Sequence, residues 1–303
     1  TLANSERYYT EQLKQLEEDI LSAEENLVKR EREVFFSVKD KIYSQIERVL
    51  STAEAIAEID VLSSFAYIAY VNSYCRPEII TSGEVEIIDS RHPVIEQIDK
   101  NNEFIPNSCD MNLTDRHMQI ITGPNMAGKS TFIRQIALIV LMAQIGSFVP
   151  AKSARISVAD RIFTRVGASD DLLTGRSTFM VEMSEVANIL KNATKDSLII
   201  LDEVGRGTST YDGLSIAWAV CEYIASKELL GAKTLFATHY HELTQLSERE
   251  GIINLCIRAV EKDNKVIFLR KVQKGSRKKL RHRSSASCRD SFKYNVKSGG
   301  YFT

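Results

Sequence analysis

The first 76 residues contain neither glycine nor proline; the first proline is Pro77 and the first glycine is Gly83. These two residues are the strongest local punctuators of a chain, so their absence excludes a turn-rich fold here and favours long helices. Cysteine is sparse. Cys75, Cys109, Cys221, Cys256 and Cys288 are odd in number and none has C-x-x-C spacing. No zinc site or disulfide framework is legible, and the thiols read as buried or incidental ones in a reducing compartment. Excess charge is also lacking, with 39 Lys and Arg against 40 Asp and Glu and a net charge of −1. That excludes a polycation that attracts nucleic acid over its whole surface, and leaves only a local patch for such contact. No apolar run is long enough to span a membrane and no signal peptide opens the chain, so a cytoplasmic location is expected. The remainder, 44% hydrophobic and 26% charged, is ordinary for a globular protein. A chain of 303 residues holds one large domain or two smaller ones. It opens on Thr1 inside a helical pattern and reads as a piece of something longer.

Leu13, Leu16, Ile20, Ala23, Leu27, Val34, Val38, Ile42, Ile46 and Val49 recur mostly at steps of three and four, with a gap at Arg30-Glu31. That spacing predicts a helix over 11–50 with a narrow apolar stripe. At about 1.5 Å per residue it would be roughly 60 Å long, a strut or a coiled-coil arm. A plain helical bundle fits the periodicity equally well. Ser51 to Glu54 has capping-box form, so a second helix is expected to start there. Its body, 53–71, is apolar on most sides and is expected to be buried. The boundary falls at 77–90. Beyond it, strands alternate with helices, the pattern of a parallel sheet covered on its faces. Strands are expected at 85–88, 119–122, 161–166, 198–201, 234–237, 256–260 and 265–269. Helices are expected at 130–145, 179–194, 213–226 and 241–247.

The chain is organised around Gly123-Pro124-Asn125-Met126-Ala127-Gly128-Lys129-Ser130-Thr131. It fits G-x-x-x-x-G-K-[ST], the phosphate-binding loop, and sits between a predicted strand and a predicted helix. Such a turn directs backbone N–H groups and a positive helix end at a polyphosphate. Gly123 and Gly128 allow close approach that a Cβ would block. Lys129 would place a point charge on the β and γ phosphates, and the Ser130 hydroxyl would sit on Mg²⁺.

Leu198-Ile199-Ile200-Leu201 runs into Asp202-Glu203, two carboxylates at the tip of a buried strand. A charge pair there is costly without a partner, and Mg²⁺ on a nucleotide would be one. Asp202 would hold the metal, and Glu203 would act as general base towards water. The competing reading is an acidic cap after a strand. A second apolar strand ends at His239, where an imidazole could sense the terminal phosphate. Gly123, Asp202 and His239 all fall at carboxyl ends of strands, where open α/β sheets bind ligands. From Ser169 to Met180 a polar, glycine-containing stretch precedes a helix, and Ser177 or Thr178 reads as its N-cap.

Taken together, the 123–131 loop, Gly146 to Ala151, Arg161 to Met183, Asp202 to Thr208 and Phe236 to His239 resemble the ATPase domain of the MutS family of DNA mismatch repair proteins. Thr1 to Tyr8 and the helices after it resemble that family's descending lever. The resemblance runs from Thr1 to about Gly275. It implies an α/β fold, an ABC-type P-loop ATPase domain preceded by a long helical lever segment, with the lever at 1–80 and the ATPase at 81–275. It further implies Mg²⁺-dependent ATP hydrolysis coupled to recognition of mismatched double-stranded DNA, a sliding clamp, a homodimer and recruitment of MutL. By resemblance Phe104 stacks on adenine, Gly123 to Thr131 bind the phosphates, and Ser130 and Asp202 hold Mg²⁺. Glu203 is then the Walker B base, His239 the switch histidine, and Ser177 the signature serine that reaches the partner subunit's γ-phosphate.

The family's mismatch-reading domain, connector and clamp have no counterpart in this stretch. From Ser276 to Thr303 the chain reads as a basic, serine-rich tail where the family has Lys-Ser-Tyr-Gly and latching helices. Allowed codons from Arg277 onward, read one nucleotide later, yield Glu-Lys-Ser-Tyr-Gly, so a shifted frame is expected at this junction. A disordered basic tail is the other reading. Two rival functions stay open: an inactive fragment that binds nucleotide without completing a dimeric site, and a chromosome-condensation head with its coiled-coil arm. The latter would carry a different signature stretch at 169–183.

Overall fold

The computed structural model describes Tyr8 and residues 10–98, 104–167, 178–262 and 265–275. Ser177 and the tail from Ser276 lie outside the described residues. The chain divides into two units, Thr1–Ser64 and Phe65–Thr303.

The first unit is helical. α1 spans Glu11–Tyr43, and the Thr10 side chain caps it by accepting from Leu13 N–H at 3.2 Å. α2 spans Ile46–Val71 and continues into the second unit. The break falls at Ser44-Gln45, ahead of the expected capping box. Ser44 N–H donates to the Asp40 carbonyl, and its hydroxyl donates to the Lys41 carbonyl at 2.8 Å. Thr52 lies within the helix, where its hydroxyl donates to the Arg48 carbonyl at 2.7 Å. A Ser or Thr hydroxyl can serve a cap or bond back along a helix, and here the interior use prevails. The expected burial of 53–71 is not met. Ile56, Ile59, Leu62 and Tyr67 are exposed and Ala69 alone of α2 is buried. The apolarity of this segment marks surface that the described residues leave uncovered.

The second unit is α/β. In chain order it comprises β1 (Glu78–Ile80), β2 (Val85–Ser90), the single turn α3 (Ile95–Ile98), β3 (Asn107–Met111), β4 (Met118–Thr122) and α4 (Lys129–Gln144). There follow β5 (Ser153–Ser157), β6 (Ile162–Arg165), α5 (Thr178–Asn192), β7 (Leu198–Asp202) and α6 (Thr210–Ala225). The chain then forms β8 (Lys233–Thr238), a 3₁₀ helix (His241–Glu248), β9 (Ile252–Lys262) and β10 (Lys265–Lys274). The principal sheet has order β10-β9-β4-β8-β7-β6, parallel except for the antiparallel β9–β10 ribbon. A smaller mixed sheet has order β1-β5-β2-β3.

β4, β7 and β8 are buried at every position. This is the pattern of parallel strands covered on both faces. Leu198, Ile200, Leu235 and Ala237 share one core with Phe132, Ile133 and Ile136 of α4 and with the small sheet's Val85, Ile87 and Ile156. Ile199, Leu201 and Phe236 join the other core with Val186 and Ile189 of α5 and Val220, Cys221 and Ile224 of α6. Each such side chain, fully buried, contributes about 1.5–3 kcal/mol. The three strands are thereby fixed from both sides, and their carboxyl ends form a rigid rim.

Candidate functional site

The Gly123–Thr131 loop leaves that rim at the end of β4 and turns into α4. Gly123 is pressed against the ribbon: a Cβ there would lie 2.7 Å from the Ile257 carbonyl oxygen. Gly128 has φ +103, a left-handed angle that side chains rarely adopt. The bond from Phe132 N–H to the Gly128 carbonyl opens α4. The N–H groups ahead of it belong to an open helix end, which favours anions. Met126, at φ 66, also takes the left-handed region without being glycine.

Lys129 is buried, and its ammonium donates to the Gly123 carbonyl at 2.9 Å and the Pro124 carbonyl at 3.3 Å. Burial lowers its pKa, while Glu203 and Asp202 act to raise it. Asp202 ends β7. Its Oδ2 lies 3.7 Å from the Arg134 guanidinium, and its buried Oδ1 has no hydrogen-bond partner among the described residues. Glu203 follows at φ 54, with its N–H bonded to the Ala237 carbonyl at 2.9 Å. Its carboxylate is paired with Arg206. His239 comes one residue after β8 and stacks on Tyr240, ring centroids 4.1 Å apart. Burial lowers the His239 pKa; Arg206 and Lys129 lower it further and Glu203 opposes them. The ring is therefore neutral at neutral pH.

Two cavities meet at this loop. One of about 320 Å³ is lined by Asn125, Lys129, Ser130, Thr131, Glu203 and Arg206. The other, of about 300 Å³, is lined by Phe104, Ile105, Phe132, Gln135 and Arg270. Met126, Gly128 and Thr131 border both. Gln135 donates to Ser90 Oγ at 2.6 Å, and its buried Oε1 has no hydrogen-bond partner among the described residues. Among the described residues no group of three or more His, Cys, Asp and Glu side chains is placed to hold a metal. A cation here would rest on a hydroxyl, one carboxylate and a ligand's own oxygens, which is how Mg²⁺ is commonly held.

The family comparison favours the MutS resemblance over the chromosome-condensation head. Residues 119–284, more than half of the chain, match the family model described as MutS domain V. The chain belongs to the MutS family. It is 60% identical over 276 residues to a DNA mismatch repair protein MutS of Ruminiclostridium cellulolyticum, covering 91% of this chain and 32% of that protein. The figures are the same for the MutS of Acetivibrio thermocellus. For that of Lachnoclostridium phytofermentans they are 57% over 273 residues, 90% and 29%. The chain thus spans about a third of the length of the curated relatives it matches. The MutS domain V match reaches past Gly275, where the sequence resemblance was expected to end.

In this MutS-family chain the fold brings Gly123 to Thr131, Asp202, Glu203 and His239 to one rim, with Phe104 in the adjoining cavity wall. Ser177 falls outside the described residues. Sequence reasoning missed Arg134, Gln135, Arg206 and Arg270. Arg134 and Gln135 reach the site through the register of α4, and Arg270 through the ribbon's pairing. Arg206 lies in the Asp202 to Thr208 stretch, three residues from the Glu203 it pairs with. Among the described residues no helix is long and apolar enough to cross a membrane.

Proposed function

We propose that this chain binds Mg²⁺-ATP at the rim and hydrolyses it as the ATPase part of a DNA mismatch recognition protein. The single observation that carries the reading is the buried Asp202 Oδ1. Among the described residues this oxygen has no partner, and it sits at the strand tip beside the Lys129 loop. An unpaired buried carboxylate oxygen is costly, and a bound cation would satisfy it. Ser130 and Asp202 would hold Mg²⁺, which neutralises charge developing on the phosphates. Backbone N–H groups of the loop and the α4 terminus would bind the β and γ phosphates. Lys129 would exchange its two carbonyl partners for phosphate oxygens. Glu203 would take a proton from water as the water oxygen attacks the γ-phosphorus, and the bond to the β–γ bridging oxygen breaks to release ADP. Neutral His239 would sit near the terminal phosphate as a hydrogen-bonding sensor. Phe104 would stack on the base, and Gln135 Oε1 is an acceptor suited to an exocyclic amine.

Within the whole protein, as the relatives' name indicates, this chemistry would serve mismatch repair. Mismatched double-stranded DNA, a second copy of the protein and MutL would be its partners, and Ser177 would complete the neighbouring subunit's site. Fluorescent-ATP titration tests the reading. Lys129→Ala is expected to lose binding, because Lys129 supplies the fixed charge on the phosphates. Glu203→Gln is expected to keep binding and lose hydrolysis by about 100-fold or more. Unchanged affinity in Lys129→Ala would remove the phosphate-loop assignment.

A further inference from the structure

The loop from Asp202 to Ser209 is gripped at one residue, Gly205. Gly205 N–H donates to Glu182 Oε1 at 2.5 Å, and the Gly205 carbonyl accepts from the Tyr240 hydroxyl at 3.0 Å. Both side chains are buried, and they come from different elements. Glu182 lies on the second turn of α5, and Tyr240 follows His239 beyond β8. The third side is closed by α6. Gly205 has φ +88, and a Cβ there would lie 2.4 Å from the Gly213 carbonyl oxygen. Gly207 is seated on α5 as well, where a Cβ would meet Phe179 at 3.3 Å and Glu182 Oε2 at 3.4 Å.

The N–H belongs to the Val204–Gly205 peptide and the carbonyl to the Gly205–Arg206 peptide. The two bonds therefore hold the planes on both sides of the Gly205 Cα and restrain its φ and ψ. Two residues upstream, Glu203 holds a left-handed backbone angle, φ 54, that its side chain disfavours. Such strain persists only where the surroundings over-determine it. The surroundings here are the Glu203 N–H bond to Ala237 on one side and the two bonds at Gly205 on the other. Glu182 is itself anchored. Its Oε2 lies 4.0 Å from the buried Arg165 guanidinium. Arg165 Nε lies 3.0 Å from Glu185 Oε2, within ion-pair range though off the line of a hydrogen bond. Phrases of the sequence do not show this arrangement, since Glu182, Gly205 and Tyr240 belong to no common motif.

We propose that Glu182 and Tyr240 are positioning residues for Glu203. By locking the two peptides around Gly205 they hold the left-handed turn that aims the Glu203 carboxylate into the phosphate cavity. They touch neither nucleotide nor water; they act through the loop backbone. The inference rests on the reading of Glu203 as the general base. It adds that α5, which starts one residue after Ser177, is tied by a hydrogen bond to the loop carrying that base.

The test uses the full chain with Tyr240→Phe, which removes only the hydroxyl, and Glu182→Ala, with Glu182→Gln as the conservative control because its amide oxygen still accepts. Three quantities are read: affinity for fluorescent ATP with Mg²⁺, the single-turnover hydrolysis rate, and amide hydrogen exchange across 203–208. For Tyr240→Phe and Glu182→Ala the expected result is a rate lowered by about 10- to 100-fold at nearly unchanged affinity. Exchange should quicken at 203–208 and stay as in the parent at 123–131. Glu182→Gln should recover most of the rate. Parental exchange at 203–208 in both Tyr240→Phe and Glu182→Ala overturns the proposal whatever the turnover, and so does a parental rate in both. Loss of nucleotide binding by the parent chain would instead overturn the functional reading, while the exchange comparison still judges the clamp.

Discussion

Lys233 is the residue whose placement is hardest to reconcile with its chemistry. It opens β8, is 1% exposed, and its ammonium has no hydrogen-bond partner among the described residues. Burial lowers its pKa, against the opposing pull of Asp196 and Asp160. The sign follows from which state holds the proton more tightly. Unfolded, the lysine keeps its ordinary pKa of 10.5; folded, it gives the proton up earlier. The unfolded chain is therefore favoured below the folded pKa, and stability recovers as pH rises from there towards the unfolded value. Lys233→Met is expected to stabilise the chain at neutral pH by about 1–3 kcal/mol and to flatten this alkaline rise. Urea unfolding at neutral and alkaline pH measures both. A loss of stability would mean that Asp160 and Asp196 already compensate the burial. Gly128 and Lys129 stand at the other extreme. Their part in the site is legible from residue type and spacing, because a left-handed helix entry and a lone loop cation are local requirements.

At the scale of elements, the β9–β10 ribbon closes the cavity that Phe104 lines through one asparagine. The register slips between Phe268 and Val272, and Arg270 within the slip has φ 52. Asn107 of β3 spans it, donating to the Arg270 carbonyl at 3.0 Å and accepting from Val272 N–H at 2.8 Å. It thereby joins the two sheets beside the cavity that Phe104 lines. Asn107→Ala is expected to lower stability by about 1–3 kcal/mol, since it leaves two partly buried backbone groups without their partner. It should also weaken ATP more than tripolyphosphate, because the wall it supports faces the base. Titration calorimetry with both ligands decides; an equal loss for the two would place the effect on the phosphate side.

The same elements show what a sequence reveals. β4, β7 and β8 were legible because strands buried on both faces are written in Ile, Leu and Phe. β3 and β5 were not, since Asn107-Ser-Cys-Asp-Met111 and Ser153-Ala-Arg-Ile-Ser157 alternate burial with mostly small or polar side chains. The helix break at Ser44 was missed because hydroxyl residues at 44 and 51 carry the same local signal.

For the molecule as a whole, charge and extent set the expectation. The net charge is −1 and the chain spans about a third of its MutS relatives. Attraction to duplex phosphates needs a cationic surface, and the resemblance assigns base-pair reading to domains other than the ATPase. This 303-residue chain is therefore expected to bind mismatched and fully paired duplexes with equal, low affinity. Anisotropy titrations with both duplexes measure it; a preference for the mismatch would assign lesion reading to the helices or the ATPase itself.

The sequence by itself determined the phosphate-loop pattern between a strand and a helix, the acidic strand tip, the helical character of residues 11–71 and the family. Each rests on residues close together in the chain, where spacing alone fixes geometry. Only the tertiary structure decided that Asp202 Oδ1 is left without a partner among the described residues, and that Glu182 and Tyr240 hold the two peptides around Gly205 between them. Those contacts join residues from separate helices, strands and loops. Sheet order and helix packing set their distances, and no local pattern in the sequence encodes either.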